Sequence, residues 1–196
     1  MEIDGTPIGN NFPTYFIAEA GLNHNGDVNI AKKIIDAAKN AGANAVKFQT
    51  FQTEKFVTKQ NQYFNIFKNA ELPYSDFDEL NEYSKEKDIT FFSAPFDVES
   101  ADYLNKINVP CFKIASSDLT NIPLIKKIAK MKKPMIISTG ASTMKEVEEA
   151  VNTCYVEGND QILLLHCIAS YPTPYDEVNL SAIDTMKKKF NHPVGY

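Results

Sequence analysis

At 196 residues, with 43% hydrophobic and 23% charged residues, the chain has an ordinary globular balance, which excludes a disordered or fibrous protein and favours one domain. The formal net charge is −5 and the lysines are spread along helix-like segments without a basic arm, which argues against nucleic acid as a partner. Met1-Glu2-Ile3-Asp4-Gly5 carries acids with no apolar run behind it, so neither a signal peptide nor a membrane anchor is expected, and the separated Cys111, Cys154 and Cys167 are expected to stay reduced in a cytoplasmic protein.

Seven short apolar runs follow in chain order, at residues 15–20, 45–50, 90–94, 111–116, 135–139, 162–167 and a last one beginning at 193. Helix-like patterns separate them. The first is expected to start at an Asp27 N-cap, to place Ile30, Ile34, Ile35, Ala37 and Ala38 on its apolar face, and to end at Gly42 as the residue after its C-cap. Thr143-Met-Lys-Glu146 reads as a capping box ahead of Val147, Ala150 and Val151. Strand and helix alternating in this way imply a parallel sheet. No Gly-x-Gly-x-x-Gly follows the first strand, and polar residues end nearly every strand. That distribution favours a (β/α)8 TIM barrel, which gathers its ligand groups from all strands at one face, over an open doubly wound sheet. Because such a barrel takes about 250 residues and eight strands, the chain is expected to reach only the start of strand seven.

Along residues 45–50, alternation places Lys47 and Gln49 on one face and Val46 and Phe48 on the other. An ammonium turned into a barrel needs a bound anion or an internal partner such as Glu19; both readings stay open from the residues. Lys113, with Ser116 and Ser117 after it, repeats the arrangement. Together with the hydroxyls of Ser116, Ser138 and Thr139, the two lysines suggest a phosphate or carboxylate ligand, the alternative for each hydroxyl being the cap of the next helix. Glu19 needs a lysine or the hydroxyls of a polyol. His24 lies in the turn-rich Asn23-His24-Asn25-Gly26 loop, either as a ligand or a proton carrier or as a simple loop residue. His166 lacks a neighbouring ligand cluster for a metal, and prolines stiffen the loop that holds Tyr171 at the barrel mouth. His192 reads as a surface residue.

In order, Phe16-Ile-Ala-Glu-Ala-Gly-Leu-Asn-His-Asn-Gly-Asp27, Val46-Lys-Phe-Gln-Thr50, Phe112-Lys-Ile-Ala-Ser116, Ile137-Ser-Thr-Gly140, and Leu165-His-Cys167 with Tyr171-Pro-Thr-Pro174 resemble the sialic acid synthase family, which includes N-acetylneuraminate, legionaminate and spore-coat polysaccharide synthases. The resemblance covers essentially the whole chain. It implies a TIM barrel that condenses phosphoenolpyruvate with an N-acetylated amino sugar, N-acetylmannosamine or a relative, to a nine-carbon 2-keto acid. Carbon 3 of phosphoenolpyruvate attacks the open-chain aldehyde, water adds at carbon 2, and the carbon–oxygen bond to phosphate breaks. A divalent metal, commonly manganese, polarises the aldehyde.

By motif, Glu19, Lys47 and Lys113 match catalytic positions, with Lys47, Lys113 and Ser116 clamping phosphoenolpyruvate. Gln49, Ser93, Ser138, Tyr171 and Asn23 match substrate-binding ones, with Glu19, Gln49 and Tyr171 on the sugar side. Departures are Ala94 where many members carry threonine, Ser117 for a glycine, Ala141 for a methionine, Ala169 for a polar residue, and a shorter segment after Thr58. In the family the metal-binding histidines, strand eight and an antifreeze-like C-terminal domain that reaches across a homodimer all follow the position of Tyr196. The chain alone is therefore expected to be inactive, with no metal ligands of its own. A Schiff-base lysine aldolase and a non-catalytic sugar-acid binding remnant are the rival readings.

Overall fold

A computed structural model of the protein describes residues 1–9 and 11–196. The chain forms two compact units, Pro13–Pro110 and Met1–Phe12 together with Cys111–Tyr196. The second unit opens with an antiparallel pair, β1 (Glu2–Ile3) and β2 (Thr6–Pro7). Between them Asp4 and Gly5 both take positive φ, the two-residue Asp-Gly hairpin turn. Composition drew attention only to the acids here, although Asp-Gly is itself a hairpin signal.

In the Pro13–Pro110 unit, three parallel strands, β3 (Ile17–Gly21), β4 (Ala45–Thr50) and β5 (Thr90–Pro95), alternate with α1 (Val28–Asn40), α2 (Thr53–Phe56), α3 (Phe64–Ala70), α4 (Tyr74–Glu86) and α5 (Val98–Lys106). Helix α1 starts as expected, with the Asp27 carboxylate accepting from the Asn29 and Ile30 backbone N–H groups, and Gly42 follows its C-cap at φ +81°. Its buried stripe is Ala31, Ile35 and Ala38, spaced i, i+4, i+7. Ile30 and Ile34 fall beside that stripe and remain partly exposed, which corrects the face read from the sequence. Phe48, Phe77, Phe92, Leu80 and Leu104 are fully buried in this unit. Each large side chain of this kind stabilises the fold by about 1.5–3 kcal/mol.

The second unit continues with β6 (Phe112–Ile114), α6 (Ile122–Ala129), β7 (Met135–Ser138), α7 (Met144–Val156), β8 (Ile162–Leu165), α8 (Ser181–Phe190) and β9 (Val194–Gly195), its four later strands parallel. The capping box at Thr143 and Glu146 is present, and Val147, Ala150, Val151 and Cys154 are buried. All seven apolar runs of the sequence are strands, β3 to β9. The fold is thus a parallel β/α barrel in its first seven strands, as the alternation of elements led one to expect. No helix among the described residues is long and apolar enough to cross a membrane.

Candidate functional site

In the Pro13–Pro110 unit the strand register decides which side chains can meet. Glu19 pairs with Lys47 across β3 and β4, so both leave the same face of the sheet, and they form an ion pair. The internal partner considered from the sequence is therefore the one realised. The Lys47 side chain is 9% exposed and that of Glu19 54%. Gln49, two residues beyond Lys47, shares this face and is half-buried.

Ser93 does not join them. It is in register with Phe48, on the opposite face, where it is buried and lies 2.7 Å from the Thr50 hydroxyl. Ala94 is the β5 residue aligned with Gln49, so Ser93 does not share the face of Lys47 and Gln49. Thr-Phe-Phe-Ser-Ala-Pro has no alternating pattern, so the parity of β5 could not be read before its register was known.

Beyond Gln49 a closed set of hydrogen bonds holds the chain. Asp97, the N-cap of α5, accepts from the Gln52 backbone N–H at 3.1 Å and from the Ser100 hydroxyl at 2.7 Å. Tyr74 links the Ser100 hydroxyl (3.1 Å) to the Gln52 amide, which donates to it at 2.8 Å. No motif in the sequence pointed to this network, because its members are separated by up to 48 positions. Asn23 is exposed in the loop after β3.

His24, in the same loop, is buried against the Phe48 ring, with centroids 5.8 Å apart. Its Nδ1 accepts from the Gly26 backbone N–H at 3.1 Å, which leaves the ring proton on Nε2 in the neutral form. Nε2 has no hydrogen-bond partner among the described residues. Burial holds the pKa below its ordinary 6.5, opposed in part by the Gly21 backbone. The unfolded chain therefore takes up a proton near pH 6.5 that the folded chain resists. The stability contributed by His24 is fully present above that pH and is lost as pH falls below it; His192, also held low by burial, acts with the same sign. Urea midpoints measured between pH 7.5 and 5 should fall with pH, and His24→Asn, which offers an acceptor to Gly26 without titrating, should flatten the slope. An unchanged slope in that variant would remove His24 as its source.

In the second unit, Lys113 is buried and its ammonium donates to the Ser138 hydroxyl at 2.5 Å and to the Ile114 carbonyl at 3.0 Å. Lys113 is in register with Ile136, and Ser138 lies two residues further on the same face. The Cys167 thiol also donates to Ser138, at 3.3 Å. Since the Ser138 oxygen accepts twice, its own O–H is directed elsewhere. Ser116 accepts from the Gly140 backbone N–H at 3.1 Å. A Cβ at Gly140 would lie 2.8 Å from the Ser116 hydroxyl and 3.2 Å from the Cys167 carbonyl, so only glycine leaves this packing intact. Thr139 donates to the Leu165 carbonyl at 2.9 Å. None of these three hydroxyls caps a helix; Thr143 does so for α7. Cys167 and Gly140 stand in the motifs that carry the family resemblance but were given no site role from the sequence; Cys167 falls two residues after Leu165, which is in register with Ser138.

His166 is buried with Nε2 2.8 Å from the Val178 carbonyl, and His192 is half-buried with Nε2 2.6 Å from the Tyr155 hydroxyl. Tyr171 is 94% exposed. Among the described residues no three His, Cys, Asp or Glu side chains converge into a group that could hold a metal ion, so these residues do not by themselves fit one.

Each unit thus places a buried lysine on a strand of its parallel β/α layers, Lys47 paired with the Glu19 carboxylate in one and Lys113 set among hydroxyl and carbonyl oxygens in the other. Comparison with known proteins places the chain further. The NeuB family matches residues 34–196, and the chain belongs to that family. An uncharacterised protein of Methanocaldococcus jannaschii is 52% identical over 196 residues, covering 100% of this chain and 58% of that protein. The N,N'-diacetyllegionaminic acid synthase of Campylobacter jejuni is 41% identical, over 93% of this chain and 60% of that enzyme. The crystal structure of the N-acetylneuraminic acid (sialic acid) synthetase of Leptospira borgpetersenii, in complex with citrate, superposes with a TM-score of 0.96 at 41% identity, covering 100% of this chain and 68% of that one. The chain thus spans between half and two thirds of the length of the curated relatives it matches.

Proposed function

We propose that this protein serves the condensation of phosphoenolpyruvate with an N-acetylated amino sugar, N-acetylmannosamine or a relative, giving a nine-carbon 2-keto acid and phosphate. Family membership supports the reaction class, since relatives include synthases of N,N'-diacetyllegionaminic acid, N-acetylneuraminate 9-phosphate and pseudaminic acid. The observation that carries the assignment is the Lys113 cluster. There a buried ammonium, the Ser138 hydroxyl and the Ser116 hydroxyl sit with Gly140 in a space too tight for any other residue.

In this reading the Lys113 ammonium and the two hydroxyls donate to the anionic groups of phosphoenolpyruvate, charge-assisted bonds being the stronger kind. The Ser138 O–H is available for this because Lys113 and Cys167 already occupy its oxygen as donors. Within the Pro13–Pro110 unit, Lys47 offers a positive charge to an anionic group, and Glu19 and Gln49 take sugar hydroxyls. Small-molecule substrates are the expected partners.

Isothermal titration of the chain with phosphoenolpyruvate tests the assignment. Saturable binding displaced by inorganic phosphate is expected, and its absence would overturn the proposal. Borohydride added with pyruvate should trap no adduct; a stable adduct on Lys47 or Lys113 would favour Schiff-base chemistry instead.

A further inference from the structure

Glu19 and Lys47 are in register on neighbouring strands, yet their surroundings differ. The ammonium is nearly closed off from solvent while the carboxylate is half-exposed. A buried ammonium requires a counter-charge at all times, whereas an exposed carboxylate retains lone pairs for other donors. The register shift between Glu19 and Gly21 turns the strand there, and a side chain at position 21 would touch the Glu19 carboxylate, at 3.4 Å from Oε1. Glycine at 21 thus leaves one oxygen accessible while the other holds Lys47.

We propose that Glu19 is an exchangeable counter-ion: it competes with the anionic substrate for Lys47, and sugar hydroxyls that engage its carboxylate release Lys47 and thereby tighten anion binding. The inference rests on the substrate reading above and adds a thermodynamic coupling to it. With no sugar present, an incoming anion meets a lysine already neutralised by a carboxylate that repels it. Once hydroxyl donors share the carboxylate charge, its hold on Lys47 and its repulsion of the anion both weaken. By linkage, phosphoenolpyruvate must tighten the sugar by the same factor. Glu19 is a positioning residue for the anion in this scheme, acting through Lys47.

The test is titration with phosphoenolpyruvate, alone and in saturating N-acetylmannosamine, of the unaltered chain and of Glu19→Gln. The sugar should tighten phosphoenolpyruvate about fivefold in the unaltered chain, within the usual range of coupling between sites. Glu19→Gln should bind phosphoenolpyruvate about tenfold more tightly without sugar and gain nothing from it, a purely structural role being unable to abolish the coupling while raising affinity. Glu19→Asp keeps the charge and shortens its reach to Lys47, so it should show an intermediate affinity and reduced coupling even if the amide variant fails to fold. Phosphoenolpyruvate binding with no tightening in either variant, or undiminished coupling in them, overturns the counter-ion role alone. Absence of phosphoenolpyruvate binding in all three proteins overturns the substrate assignment along with it.

Discussion

Lys113→Met should weaken phosphoenolpyruvate binding at least about 100-fold while moving the melting temperature by only a few degrees. The loss follows from removing a buried cation that donates to the Ser138 hydroxyl at 2.5 Å. Without it only the neutral hydroxyl donors of this cluster remain for the anionic ligand, and truncating one partner of a buried charged contact typically costs about 2–5 kcal/mol of binding. The fold should tolerate the change, because methionine fills nearly the same volume and a buried ion carries a desolvation penalty that disappears with it. Ser138 still receives the Cys167 thiol. Lys113→Arg should not restore binding, since the planar guanidinium cannot occupy the space of a compact ammonium. Calorimetric affinities and melting curves on the three proteins decide the matter, and a Lys113→Met chain that binds phosphoenolpyruvate normally would remove this cluster from the anion site.

The second large effect is expected at Gly26, on stability. Its φ is +75°, and an added Cβ would run into the Asn69 backbone carbonyl at the end of α3. The loop after β3 and the end of α3 are therefore packed backbone to backbone, with no flexible side chain to yield. Gly42 is the control: its φ is +81°, but nothing lies within 4 Å of a Cβ placed there. Gly42→Ala should cost only the left-handed backbone term of about 1–2 kcal/mol. Gly26→Ala adds overpacking of about 1–3 kcal/mol to a similar backbone cost. Urea denaturation should separate the two variants by that difference; equal midpoints would mean that Asn69 moves aside freely.

Much of the architecture was legible because the signals that carry it are local. Asp27 and Gly42 bracket α1 through hydrogen bonds that close within a few residues, and Thr143 with Glu146 opens α7 in the same way. The seven apolar runs are strands for a related reason: a buried parallel strand needs a continuous apolar stretch, and its neighbours do not alter that need. The helices between Thr53 and Ala70 were not anticipated. They are short, α2 and α3 lack a side-chain N-cap, and Phe51, Phe56, Phe67 and Phe96 hold the region through ring contacts across 45 positions of sequence.

The candidate site was legible by residue type more than by partner. Lys47 with Gln49, and Lys113 with the later hydroxyls, could be named from alternation and chemistry. Whether Ser93 faced them could not, because an unpatterned strand has no parity until a neighbour supplies a register. The same holds for the choice between Glu19 and an anion as the partner of Lys47, and for Cys167, whose contact with Ser138 joins two strands.

By itself, then, the amino-acid sequence determined the order of strands and helices, their caps, and the presence of two lysines on barrel strands, since each of these depends on periodicity and short-range hydrogen bonding. Only the tertiary structure decided that Glu19 neutralises Lys47, that Ser93 turns away to Thr50, and that Ser138 accepts from both Lys113 and Cys167. Those pairings depend on the register between strands, which is set by the packing of the whole sheet and is not written in any one segment.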